Sequence, residues 1–81
     1  MEAWNSVIFL KSSKSWSELS NVAKWEGVEN VWSTSGEWDW CIKLDNKSSS
    51  PEKAEEFVSK IRNGNWASET KTHWWKQVSA R

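Results

Sequence analysis

Polar and apolar residues alternate or recur along this chain in six blocks. Residues 3–11 (AWNSVIFLK) are rich in β-branched and aromatic types and free of Gly and Pro, which predicts a strand. Ser15 followed by Glu18 forms a capping box, and Trp16, Leu19, Val22 and Ala23 then recur at helical spacing, predicting a helix to about Trp25. Gly27 stands where a left-handed terminator belongs. Residues 28–34 (VENVWST) and 37–44 (EWDWCIKL) predict two strands around a tight Ser35-Gly36 hairpin, because Gly supplies positive φ. After a polar loop, Ser50-Pro51 opens a helix whose Ala54, Phe57, Val58 and Ile61 form one apolar stripe. Gly64 closes it, and Thr, Trp and Val from Trp66 to about Val78 predict a long last strand.

The order βαββαβ implies an α+β fold of ferredoxin-like type, a two-layer sandwich in which two right-handed β-α-β halves share one antiparallel sheet. Residues 1–81 read as a single domain. Both helices lie on one face of that sheet, yet apolar residues occupy both strand faces. Trp38, Trp40, Ile42 and Leu44 alternate along the third strand, and Val7 and Phe9 alternate with Ile8 and Leu10 in the first. The neighbours Trp74 and Trp75 must point to opposite faces. An uncovered apolar sheet face normally marks an interaction site. The expectation is a homodimer that stacks sheet on sheet, with Trp4, Trp40, Ile42, Trp74 and Trp75 at its interface.

Composition narrows the function. Eleven Lys plus Arg balance eleven Asp plus Glu, so no global field draws the chain to nucleic acid or an anionic membrane. No apolar run is long enough to span a bilayer, and the N-terminus lacks the pattern of a signal peptide, so the expected location is the cytoplasm. The lone Cys41 and lone His73 supply neither a disulfide nor a metal site, and no cofactor is expected. Nine tryptophans stand beside no tyrosine. Most such residues fill cores and interfaces, and a subset could line an aromatic pocket.

The segments Gly27-Val28-Glu29-Asn30-Val31-Trp32, Thr34-Ser35-Gly36-Glu37-Trp38-Asp39 and Thr70-Lys71-Thr72, in this element order, resemble the effector-binding (RAM) domain of the Lrp/AsnC transcription regulators. The resemblance covers essentially the whole chain. It implies a dimeric α/β barrel built from two facing sheets, rings of dimers, and a small effector such as an amino acid held at the seam between dimers. The positions matching that effector site are Thr34, Ser35, Gly36, Glu37, Trp38, Asp39, Thr70, Thr72 and His73. Where the family commonly carries Tyr, Trp32 and Trp38 stand here, which makes the pocket bulkier. Met1 directly precedes the first strand, so the family's DNA-reading helix-turn-helix is expected to be absent and a full-length regulator becomes a possible partner.

The candidate residues carry their own chemistry. Amides around Gly36 can cradle a carboxylate, and Asp39 can receive an ammonium. Ordinary turn and strand roles account for the same residue types: a hairpin needs its glycine, and alternate threonines are common in strands. His73 has no partner cluster, and Glu37 with Asp39 has no further group that would demand acid–base chemistry, so an enzyme is not expected. Dimeric α/β-barrel monooxygenases and isomerases are the enzymatic alternative. RNA-recognition sheets share the element order, but the two acids in Gly36-Glu37-Trp38-Asp39-Trp40 would repel phosphate.

Overall fold

A computed structural model of the chain describes residues 4–76. The elements run β1 (Asn5–Lys11), α1 (Trp16–Val22), β2 (Val28–Ser33), β3 (Trp40–Leu44), a 3-10 turn (Asn46–Ser48), α2 (Pro51–Asn63) and β4 (Glu69–Trp75). The four strands form one antiparallel sheet in the order β2-β3-β1-β4, and the fold is ferredoxin-like α+β.

Local chemistry explains both helix starts. Ser15 accepts the Glu18 amide while the Glu18 carboxylate accepts the Ser15 amide, a closed capping box. Ser50 accepts the Lys53 amide, and Pro51 occupies the first turn of α2, where no amide donor is needed. Helix α1 is shorter than its periodicity predicts. It ends at Val22, and Trp25 sits in the following turn with its ring set edgewise against Phe57 and Trp66 at 5.9 and 5.7 Å. Gly27 has φ 92°, the left-handed conformation expected of it, whereas at the end of α2 that role falls to Asn65, φ 58°, and not to Gly64.

Ile8, Leu10, Ile42 and Leu44 point from the sheet into a core shared with Leu19 and Val22 of α1 and Ala54, Phe57 and Ile61 of α2. Trp40 and Trp66 pack against its margin. Alternation sends Val7 and Phe9 of β1 and Cys41 of β3 to the opposite face, which no helix among the described residues covers.

Two strand starts differ from the sequence pattern. The β2–β3 connection is a six-residue loop, 34–39, so β3 begins at Trp40 and not at Glu37. Strand β4 begins at Glu69, because Trp66 and Ala67 turn inward against the core. The expected strand positions Ala3, Gln77 and Val78 lie outside the described residues.

Candidate functional site

Loop 34–39 closes on itself and then onto β1. The Thr34 amide donates to the Asp39 carbonyl at 2.9 Å, the Thr34 hydroxyl donates to the Trp38 carbonyl, and the Asp39 amide donates to the Leu10 carbonyl at 2.8 Å. One Asp39 carboxylate oxygen accepts the Ser12 amide at 2.9 Å. Ser12 in turn donates its hydroxyl to the Trp66 carbonyl at 2.6 Å and accepts the Lys14 amide at 3.1 Å. One serine thus ties together the β2–β3 loop, the β1–α1 turn and the α2–β4 connection. The tip residues Ser35, Gly36 and Glu37 are exposed, and among the described residues their amides have no hydrogen-bond partner. Gly36 has φ 101°, and a Cβ there would meet nothing within 4 Å. Backbone conformation, not crowding, therefore requires the glycine.

Beside this loop spreads the uncovered sheet face. Phe9 lies at its centre, with ring contacts to Trp38 at 6.3 Å, His73 at 5.4 Å and Trp75 at 6.0 Å. The Lys11 ammonium lies 5.4 Å from the Trp38 ring centre and 3.9 Å from the Glu69 carboxylate. Trp32 pairs with Cys41 across β2 and β3 and stays 43 % exposed, so the aromatic surface reaches the β2 edge. Lys43 and Glu29 pair at 3.2 Å on the same side. These ion pairs are solvent-exposed and contribute little stability, so the aromatic groups define the surface.

The structure divides the residues expected to bind an effector. Thr34 to Asp39 form one loop, and Thr70 lies at the same end of the sheet, one strand beyond Leu10. Thr70 and Thr72, however, stand opposite Leu10 and Ile8 and share their helix-side face. His73 stands opposite Val7 on the uncovered face, with Trp38. Within one subunit these side chains do not converge on a single pocket. Thr72 instead lines a cavity of about 420 Å³ with Pro51, Ala54, Val58 and Trp74.

The expected interface residues also need correction. Ile42 is fully buried beneath the helices and Trp40 packs on the same core, so neither can meet a second sheet. Trp74 is on the helix side too, with its indole N–H donated to the Ser49 carbonyl at 2.7 Å. Trp75 is on the uncovered face, 47 % exposed, and Trp4 is 56 % exposed with the Lys76 ammonium 5.9 Å from its ring. Phe9 and Ser12 are not among the expected site or interface residues. The alternation of Phe9 with Ile8 and Leu10 marks it as a face residue but does not say that its face is the uncovered one; Ser12 carries no local signal, since two of its partners lie 27 and 54 residues away. Among the described residues, no three His, Cys, Asp or Glu side chains gather as metal ligands, and no helix is long and apolar enough to cross a membrane.

No protein-family model and no curated protein matches the chain. Solved structures do. The chain is similar to FFRP-DM1, with a TM-score of 0.71 and 17% identity over 89% of this chain and 97% of that one. It is similar to hypothetical protein PHS023 from Pyrococcus horikoshii, with a TM-score of 0.72 and 16% identity over 89% and 88%. PH0061 gives a TM-score of 0.65 and 17% identity over 96% of this chain and 55% of that chain. Identities this low establish a shared fold and leave function to be argued from the site.

Proposed function

We propose that the chain is a small-molecule effector-binding and assembly module related to the Lrp/AsnC transcription regulators, acting as a dimer through its uncovered sheet face. The observation that carries this reading is the aromatic surface of Phe9, Trp32, Trp38, His73 and Trp75 on the side of the sheet that no helix covers. A contiguous aromatic surface of this kind favours association. Similarity of fold to FFRP-DM1, a feast/famine regulatory protein by its abbreviation, over nearly all of that chain agrees with a regulator-derived module. The role is binding, not catalysis.

The effector would sit at the tip of loop 34–39, completed by a neighbouring subunit. The tip amides suit a carboxylate. The Asp39 oxygen left over from the Ser12 contact suits an ammonium. An amino acid has both groups.

Sedimentation velocity at micromolar concentration tests the assembly, with a dimer or larger species expected; a 9.5 kDa monomer would overturn it. Calorimetry with the common amino acids and their methyl esters tests the site. A free amino acid is expected to bind at least about tenfold more tightly than its ester, one charge-assisted contact being lost. Finding no amino acid that binds below about 1 mM removes the sensing role and leaves the assembly role in place.

A further inference from the structure

A second cleft lies on the helix side of the sheet. The turn after α1 (Glu26), the 3-10 turn (Lys47, Ser48) and one face of α2 (Lys53, Glu56, Phe57, Lys60) enclose about 410 Å³, with Leu44 also in the lining. That volume falls within the range of about 300–1,000 Å³ usual for small-molecule sites. The four α2 residues are spaced i, i+3, i+4 and i+7, so helix geometry alone brings them to one face. The opposing wall is fixed by backbone contacts. The Asp45 amide donates to the Gly27 carbonyl at 2.8 Å, and the Asp45 carboxylate accepts the Ser48 amide at 2.9 Å. A Cβ on Gly27 would stand 2.5 Å from the Ser48 hydroxyl oxygen, so the two connections touch there.

Three ammonium groups and two carboxylates line this cleft. Among the described residues none of the five makes an ion pair. Glu56 and Lys60 have the i, i+4 order that favours pairing on a helix, yet the Lys60 ammonium stands 4.4 Å from the Trp25 ring centre instead. Trp25 is itself held between Phe57 and Trp66, which gives Lys60 a firm seat at the rim. The charges of the cleft are thus left facing solvent, with Leu44 and Phe57 buried in the core beneath them.

We propose that this cleft is a ligand site separate from loop 34–39, and that it takes a small zwitterion of net negative charge. Lys47, Lys53 and Lys60 would receive its anionic groups, and Glu26 or Glu56 its ammonium. The two glutamates disfavour a ligand that carries only negative charge, and the three lysines disfavour a cation.

Calorimetry on the intact chain with L-glutamate, glutarate and L-lysine as probes tests this. L-glutamate is expected to bind with a dissociation constant below about 1 mM, glutarate at least about tenfold more weakly, and L-lysine not detectably. Lys53→Gln with Lys60→Gln should weaken L-glutamate binding at least about tenfold with an unchanged far-ultraviolet circular dichroism spectrum, the melting temperature falling only by what the lost Lys60 contact to Trp25 contributes. Arg62→Gln, outside the cleft, should leave it within about twofold, separating local contacts from overall charge. Asp39→Asn separates this site from the loop site, because it should leave L-glutamate binding in the cleft intact. Absence of L-glutamate binding, binding indifferent to the double substitution, or glutarate binding as tightly as L-glutamate would each overturn the proposal.

Discussion

Cys41 shows how a single side chain reports the packing around it. It stands on the uncovered sheet face, yet only 3 % of it is exposed, and burial pushes its thiol up to about 11. At pH 8 only about one such thiol in a thousand is ionised, and the thiolate is the reactive form. Iodoacetamide is therefore expected to modify the folded protein far more slowly than the protein in urea; equal rates would show that the face is open around Cys41. The same shift carries a pH dependence. In the unfolded chain the thiol ionises near 9.0, so the folded state holds its proton longer. That contribution is complete below pH 9 and is lost as pH rises through about 11. Urea midpoints should fall across this window in the parent chain and fall less in Cys41→Ala. Glu18 works in the opposite sense. Its bonds from the Ser15 amide and then the Ser15 hydroxyl lower its pKa, so its contribution is present above 4.5 and fades as pH drops through the folded value.

At the scale of elements, the ladder between β1 and β3 stops at Val7, and a side chain takes over from the backbone. The buried Ser49 hydroxyl accepts the Ser6 amide at 2.8 Å and donates to the Asp45 carbonyl at 2.7 Å. Ser49→Ala would leave a buried amide without a partner, a loss of about 1–3 kcal/mol in urea unfolding. A change below about 0.5 kcal/mol would mean that the strand end relaxes at no cost. Elements whose causes are local were legible in the chain: Ser15 with Glu18 and Ser50 with Pro51 marked both helix starts. Strand β3 was not legible at its first residues. The alternation Trp38, Trp40, Ile42, Leu44 continues unbroken through a loop, but the Asp39 contacts to Leu10 and Ser12 bend the chain there and send Trp38 over Phe9. No window of neighbouring residues contains that information. Alternation alone already sets Thr70 and Thr72 on the face opposite His73; what the sequence could not supply is which of those faces the helices cover.

Across the whole molecule, the decisive property is which sheet face the helices cover. Val7, Ile8, Phe9 and Leu10 are apolar in succession, so the pattern of β1 is equally consistent with either choice. The choice is settled only by the stripes of α1 and α2 meeting Ile8, Leu10, Ile42 and Leu44. It separates two substitutions that looked equivalent in the sequence. Trp75→Lys puts a charge on the uncovered face and should yield a folded monomer, seen as an unchanged far-ultraviolet circular dichroism spectrum with a smaller sedimentation coefficient. Trp40→Lys puts the charge against the core, at a cost of several kcal/mol (an order-of-magnitude figure), and should abolish folding. A Trp75→Lys protein that remains a dimer would move the interface elsewhere. The strand order also has a consequence for synthesis. Strand β1 is made early and pairs on one side with β3, but its other side is closed only by β4, from Asn5 opposite Trp75 to Lys11 opposite Glu69. A nascent chain that has released β1, β2, β3 and both helices still shows one open row of β1 amides and carbonyls, a template for any passing strand. Completion of the sheet is thereby tied to the arrival of residues 69–75 from the ribosome, and a pause before that point leaves the centre of the future sheet as its exposed edge.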